Sequence, residues 1–281
     1  MEASASPLSW PAFLKLLAHE LRWKILALLA RSDYCGLEIV ERLHQPQNLV
    51  SYHLRLLATH QLVTERRSTA DGRDIYYSLN LDILRERYAA AATALHPALA
   101  TVGNAVSLPQ GELPGPSHQP LRVLFLCTEN SARSQMAEGI LRYLAGNTLD
   151  VYSAGSQPAE VHPYATQVLA EMGIDINQQT AKHLDIFRGQ SFDIVITVCD
   201  RMKESCPTWP ADPEQIHWSL PDPVALEEVS EQERYAAFEE IARQLLTRSR
   251  HFLLLVVAEH AQQTRTAEKE WRKYEKPSPG I

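Results

Sequence analysis

The sequence LRVLFLCTENSARSQMAEGIL, residues 121–141, decides the fold of the larger part of this chain. It opens with an apolar run, Leu121 to Leu126, typical of a strand that is buried on both faces of a parallel sheet. A polar loop follows, and then a helix is predicted from Gln135 to Ala145. A strand that leads through a loop into a helix N-terminus directs several backbone N–H groups at one point. The stretch therefore predicts a binding site for a tetrahedral oxyanion.

The predicted oxyanion loop places Cys127 at the end of the strand, where the helix N-terminus and Arg133 are expected to lower its pKa. The planar guanidinium of Arg133 can hold two oxygens of one anion. We expect Ser134 to donate to the thiolate and Asn130 to tie the loop together. The alternative is that Cys127 is a small buried apolar residue, but its spacing from Arg133 favours a site. The loop residues are Thr128, Glu129, Asn130, Ser131, Ala132, Arg133 and Ser134.

The run CTENSARSQMAEGIL closely resembles the active-site loop of the low-molecular-weight tyrosine phosphatase fold, and more specifically that of the thioredoxin-coupled arsenate reductases. Further matches at 153–155, 195–200 and 218–223 extend the resemblance over residues 121–258. It implies an α/β domain with a central parallel sheet. One departure is Glu129, where many relatives have glycine. We expect this carboxylate to point outward and to weaken oxyanion affinity.

Two further features bear on the choice between phosphatase and reductase. Asp222 follows a predicted strand at 216–220, and the resemblance makes it the general acid for the leaving oxygen. The phosphatases continue with aromatic residues that hold a phenyl ring, whereas here Val224 and Ala225 follow. Cys199 ends an apolar strand predicted at 192–198, and Cys206 follows a polar, mobile stretch. They are either unrelated structural thiols or, as the resemblance implies, the redox pair of a thiol relay.

The mechanism that the resemblance implies uses three thiols and no metal or organic cofactor. Cys127 attacks arsenate, Asp222 protonates the departing oxygen, and Cys199 then releases arsenite. Cys206 next forms a disulfide with Cys199, and an external thiol donor, expected to be thioredoxin, reduces it.

The first hundred residues predict a smaller, mainly helical domain. Apolar spacing indicates one or two helices at 13–29, a short helix at 36–43, a helix at 49–57 capped by Gln47 or Asn48, and a final helix at 81–99. Strands at 62–68 and 75–79 are joined by a turn that contains Asp71-Gly72. A short helix, a break, a second helix and a hairpin are the order of a winged helix-turn-helix.

Polar residues on the second helix and on the wing are candidates for DNA contact. Solvated surface is the alternative for most polar faces, and the order of the elements favours DNA. The candidate residues are Gln47, Asn48, Ser51, Tyr52, His53 and Arg55 on the helix, and Arg66, Arg67 and Arg73 on the wing.

The segment LHQPQNLVSYHLRLLATHQLV and the hairpin that ends DIYYSLN resemble the ArsR family of metal- and metalloid-responsive repressors over about residues 10–100. The resemblance implies a homodimer formed by the first and last helices and an operator with two-fold symmetry. Arsenic-responsive members carry a Cys-x-Cys pair, of which only Cys35 is present, with Leu37 at the second place. Since trivalent arsenic prefers several thiolates, Cys35 is expected to be a packing residue rather than a metalloid ligand.

Charge and composition divide the chain. The net charge of −7 separates into +1 for residues 1–105, with 11 basic and 10 acidic side chains, and −8 for the remainder, with 16 and 24. Prolines and glycines mark 101–120 as a linker. It separates a predicted DNA-binding domain at 1–100 from a predicted enzyme domain at 121–260. Residues 261–281 are predicted to be a loosely held tail. The sequence contains no apolar run of membrane-spanning length, and the four cysteines suit the reducing cytoplasm better than a disulfide scaffold.

Three hypotheses follow. The first is an arsenate reductase fused to an active ArsR-like regulator. The second is a regulator whose reductase-like domain senses oxyanion or redox state with little turnover. The third is a fused protein tyrosine phosphatase, against which the three cysteines of the second domain argue.

Overall fold

The computed structural model describes residues 10–70, 72–95, 120–225 and 229–274, with the backbone alone for 10–12 and 257–274. The predicted linker, 101–120, lies outside the described residues except for Pro120. Residues 275–281 of the predicted tail also lie outside them, as do the side chains of 261–274. Within the described residues, no helix is both long and apolar enough to cross a membrane.

The N-terminal domain is a winged helix-turn-helix, as predicted. Its helices are α1 (Trp10–Leu17), α2 (Glu20–Leu29), α3 (Gly36–Leu43), α4 (Gln47–Thr59) and α5 (Leu81–Leu95), and its strands are β1 (Tyr34–Cys35), β2 (Val63–Arg67) and β3 (Ile75–Leu79). The core consists of apolar residues at helical spacing, among them Ile25, Ile39 and Leu57, which are fully buried. The predicted cap of α4 is wrong, because the helix begins at Gln47 with Pro46 at the cap position.

The short strand β1 is an element that the sequence did not predict. It pairs antiparallel with β3, so that the hairpin becomes a three-stranded sheet in the order β1-β3-β2. Two residues are too few to show alternation, and only the tertiary structure defines this strand.

The C-terminal domain is a four-stranded parallel sheet in the order β5-β4-β6-β7, flanked by helices. Its strands are β4 (Leu121–Cys127), β5 (Leu149–Gly155), β6 (Ile194–Thr197) and β7 (Glu214–His217). Its helices are α6 (Arg133–Ala145), α7 (Pro163–Glu171), α8 (Asp200–Glu204) and α9 (Glu231–Tyr274). The central strand β4 is buried from Val123 to Cys127, as its apolar run predicts.

The sheet order determines where the functional side chains lie. β4 and β6 are parallel neighbours with Leu126 opposite Thr197, so their C-terminal ends open at the same edge of the sheet. Cys127 ends one strand and Cys199 follows the other. Ligands of open α/β sheets bind at this edge.

The two domains are in direct contact. Asp33 donates its backbone N–H to the His217 carbonyl at 2.8 Å, and its carboxylate accepts the Ser219 N–H at 2.7 Å. Arg248 of α9 lies 3.0 Å from the same carboxylate. The segment before β1 therefore packs beside β7, which is an edge strand of the larger sheet.

Candidate active site

Residues 128–132 form the loop between β4 and α6, and two of its carbonyls are bonded to the segment after β5. The carbonyl of Thr128 accepts the Gln157 N–H at 2.8 Å, and that of Glu129 accepts the Ala159 N–H at 2.9 Å. Because these carbonyls face outward, the loop can turn amide groups inward, toward the α6 N-terminus and Cys127. This is the geometry of an anion-binding loop.

Asn130 holds this loop together, as the sequence predicts. It adopts a left-handed backbone conformation with φ of 51°, which asparagine tolerates better than most residues. Its Nδ2 donates to Ser134 Oγ at 2.9 Å and to Ser153 Oγ at 2.8 Å, and its Oδ1 accepts the Lys182 N–H at 2.7 Å. The side chain thus joins the loop to β5 and to the segment before β6.

A buried carboxylate below the loop is a feature that the sequence analysis missed. Glu138 of α6 is 2% exposed and accepts hydrogen bonds from Ser153 at 2.5 Å, Arg142 at 2.7 Å and Lys182 at 3.2 Å. Two cations and a hydroxyl offset the burial of this charge. The signal in the sequence was that Glu138 is the one charged residue between Gln135 and Leu141.

The Cys127 thiol is 3% exposed and faces two hydrogen-bonding groups. Ser134 Oγ lies 2.8 Å from its Sγ, and the Asn130 backbone N–H donates to Sγ at 3.0 Å. The prediction of a lowered pKa is wrong. Burial raises the pKa of Cys127 and nearby Cys199 raises it further, outweighing the opposite effects of Ser134, Arg133 and Asn130.

Arg133 and Asp222 meet at the mouth of the loop. Arg133 Nη2 lies 2.5 Å from Asp222 Oδ2, and its Nη1 donates to the Leu220 carbonyl at 3.3 Å. The arginine side chain is 9% exposed and the aspartate 32%, so the carboxylate is open to solvent while the guanidinium lies beneath it. Val224, two residues further on, is exposed, and Glu129 also points outward as expected.

The two further cysteines of the domain lie at either end of α8. Cys199 is buried, and its Sγ lies 3.6 Å from Thr128 Oγ1 of the loop. Cys206 is partly buried, and burial raises its pKa. The predicted mobile stretch between them is wrong in part, because residues 200–204 form a helix.

That helix is held by the N-terminal domain. Asp200 binds Arg66 and Thr69 of the wing together with His217 and Ser219 of its own domain, and we call these five residues the Asp200 cluster. Lys203 Nζ lies 2.6 Å from Glu38 Oε2 of α3. Local sequence patterns give no signal for these pairs, whose members lie more than 130 positions apart.

The predicted DNA-contacting residues separate into three groups. Gln47, Asn48, Ser51, Tyr52 and Arg55 on α4, and Arg67 and Arg73 on the wing, are exposed. Arg66 is partly buried against Asp200. His53 is the exception that contradicts the prediction: it is 3% exposed and packs on His19 with ring centroids 4.3 Å apart, so it faces the core.

Cys35 is buried and ends β1, in agreement with a packing role. Its backbone N–H donates to Glu38 at 2.8 Å, and burial raises its thiol pKa. Within the described part of the chain, no three His, Cys, Asp or Glu side chains are grouped as metal ligands.

Comparison with known proteins identifies similarities to both domains. The family model described as low molecular weight phosphotyrosine protein phosphatase matches residues 122–265, and that of bacterial regulatory proteins of the arsR family matches residues 19–65. Arsenate reductases from Halalkalibacterium halodurans and Bacillus subtilis are 39% and 36% identical over 130 residues, which is 46% of this chain and 93% of each relative. A solved arsenate reductase in the oxidized state is 30% identical, covers 48% of this chain and 98% of its own, and has a TM-score of 0.42.

Proposed function

The chain belongs to the low molecular weight phosphotyrosine protein phosphatase family, and from this premise we propose that it reduces arsenate to arsenite by a cysteine relay and binds operator DNA through its N-terminal domain. The observation that carries the enzymatic half is the position of Cys199 beside the Cys127 loop. A phosphatase needs the loop, its thiol and an acid, but it has no use for a second thiol 3.6 Å from the loop hydroxyl of Thr128.

In the first step, the Cys127 sulfur attacks arsenic. Loop amides and the Arg133 guanidinium stabilise the negative oxygens. Since the pKa of Cys127 is raised, the thiol proton leaves as arsenate enters, and an oxygen of the arsenate can accept it. Asp222 protonates the departing oxygen, which leaves as water, and a sulfur–arsenic(V) bond forms.

The second step is the reduction. The Cys199 thiolate attacks the sulfur of Cys127, and the electron pair of the sulfur–arsenic bond passes to arsenic. Arsenic(V) becomes arsenic(III) and leaves as arsenite, while Cys127 and Cys199 are oxidised to a disulfide. The two electrons gained by arsenic are the two lost by the thiols.

The third step moves the disulfide away from the loop. Cys206 attacks Cys199, which restores the Cys127 thiolate and leaves a Cys199–Cys206 disulfide for an external dithiol of the thioredoxin class to reduce. Because Cys199 and Cys206 lie at either end of α8, this helix must unwind. A relay of free thiols requires a reducing compartment, and we therefore place the protein in the cytoplasm.

The regulator half rests on the exposed polar face of α4 and on the wing. We propose a homodimer through α1 and α5 that presents two α4 helices to half-sites about one helical turn apart.

The experiment for the enzyme follows arsenite release with thioredoxin and its reductase as electron donors. We expect turnover by the wild type and none by Cys199→Ser, which should retain oxyanion binding. Turnover that survives this substitution would contradict the relay. Hydrolysis of aryl phosphate without arsenate reduction would identify a phosphatase instead. Sedimentation and gel shift with the DNA upstream of this coding sequence test the dimer and the regulator.

A further inference from the structure

Asp200 is the first residue of α8 and directly follows the relay thiol Cys199. Its side chain has no exposed surface. A buried carboxylate is stable only if hydrogen-bond donors surround it. The donors around Asp200 therefore determine where the chain holds Cys199.

Two of these donors come from the wing of the DNA-binding domain. Arg66 Nη2 lies 2.6 Å from both carboxylate oxygens, and Thr69 donates its backbone N–H at 2.7 Å and its hydroxyl at 3.0 Å. From the enzyme domain, His217 Nε2 lies at 3.1 Å and Ser219 Oγ at 2.9 Å. Although burial alone would raise the pKa of Asp200, the bonds from His217, Arg66 and Thr69 lower it well below its ordinary value.

Each of the three guanidinium nitrogens of Arg66 already has an acceptor within the protein in this arrangement. Its Nη2 also contacts Ser219 Oγ, its Nη1 donates to the Arg67 carbonyl at 2.8 Å, and its Nε points at the Ser219 carbonyl at 3.4 Å. Arg67 and Arg73 remain exposed on the same wing. A wing that meets DNA through Arg66 must first release Asp200.

We propose that Arg66 is a positioning residue of the thiol relay: by binding Asp200 it sets the Cys199 thiol beside Cys127, and it cannot contact DNA while it does so. This inference rests on the proposed reductase function. The wing thus has two alternative anionic partners, a carboxylate of its own chain or a phosphate of the duplex.

The test is a single turnover of the reduced full-length protein with arsenate and no external reductant, in which arsenite and remaining thiols are measured. We expect Arg66→Ala to release arsenite about 10- to 100-fold more slowly, since a small misplacement of a reacting group has effects of that size. Affinity of the loop, measured as phosphate protection of Cys127 from alkylation, should stay within about twofold of wild type. Arg66→Lys, which keeps one charged donor, should recover part of the rate.

The matched control is Glu214→Gln, which removes a different ion pair between the domains, Arg31–Glu214 at 2.7 Å. Both side chains of this pair are exposed, at 43% and 39%, and neither belongs to the Asp200 cluster, so its loss should leave the rate unchanged. Thermal unfolding followed by circular dichroism identifies a variant that has simply lost its fold.

A second arm adds mixed-sequence duplex DNA at low salt, at a concentration where fluorescence anisotropy shows saturated binding. Bound DNA should slow arsenite release by the wild type and leave Arg66→Ala unchanged. Equal rates for wild type and Arg66→Ala would overturn the positioning role, and an unchanged wild-type rate on DNA would overturn the competition. Failure of the wild type to release any arsenite would instead refute the proposed function.

Discussion

Gly155 lies so close to the oxyanion loop that a Cβ atom on it would come within 2.5 Å of the Thr128 carbonyl oxygen and 2.8 Å of the Asn130 amide nitrogen. Both contacts are with backbone, which cannot rotate away as a side chain can. β5 therefore ends on the one residue type that lets the loop close against it.

Gly155→Ala should weaken phosphate binding to the loop by about tenfold or more, equivalent to ~1.4 kcal/mol, because the loop must shift to make room. Phosphate protection of Cys127 from alkylation measures this affinity. Gly36→Ala is the control, since a Cβ there meets only Tyr77 at an ordinary 3.7 Å. Unchanged phosphate affinity in Gly155→Ala would show that the loop closes in another way.

The raised pKa of Cys127 gives a pH dependence with a definite sign. Below that pKa the thiolate fraction rises with pH, so alkylation of Cys127 by iodoacetamide should accelerate about tenfold per pH unit from 7 to 9. A variant with serine at the other three cysteines isolates the signal. Ser134→Ala, which removes the hydroxyl 2.8 Å from Sγ, should shift the profile further upward in pH. A rate already constant at pH 7 contradicts the raised pKa.

Asp222→Asn keeps the shape of the acid but cannot donate its proton to the leaving oxygen. We expect kcat for arsenate to fall by about 10²- to 10⁴-fold, the usual contribution of a general acid. Since Asn also removes the charge that binds Arg133, oxyanion affinity is measured separately through phosphate protection. Asp150→Asn, on the exposed side of β5, serves as the control. A kcat within a few-fold of wild type would remove Asp222 from the acid role.

The ion pair of Lys203 with Glu38 opposes the unwinding of α8. Lys203→Gln should therefore speed the third step, formation of the Cys199–Cys206 disulfide after a pulse of arsenate, by about two- to fivefold, since a partly exposed pair contributes up to ~1 kcal/mol. Mass spectrometry of alkylated, quenched samples follows each disulfide. A slower third step in this variant means that α8 does not have to leave Glu38.

Cys35→Ser should leave any effect of arsenite on DNA binding as it is in the wild type, because one buried thiol cannot surround arsenic(III). Fluorescence anisotropy with duplex DNA, with and without arsenite, measures this. Loss of an arsenite response in the variant alone would make Cys35 a ligand after all.

Patterns with strong local causes were predictable. The strand β4, buried from Val123 onward, and the strand β3 were predicted almost to the residue, since an apolar run defines the first and a turn dipeptide precedes the second. The loop between β4 and α6 could be predicted from the apolar strand before it and from the fixed spacing of Cys127 and Arg133.

Features that depend on distant residues were not predictable. Whether His53 faces DNA or His19 depends on where α2 packs. The pKa of Cys127 depends on how deeply the loop is covered, which no spacing records. Nothing near Asp200 in the sequence distinguishes it from an ordinary polar residue, because its partners Arg66 and Thr69 lie in the other domain.

The contacts between the domains are made within one chain, and this lowers the affinity that is needed to keep the domains associated. Twenty residues of breaker-rich sequence at 101–120 connect the halves covalently. Such a tether holds the partners at an effective concentration of the order of millimolar. At that effective concentration the Asp200 cluster can hold the two domains together even if it is too weak to join separate proteins at cellular concentrations. The same surfaces on two independent gene products would spend most of their time apart.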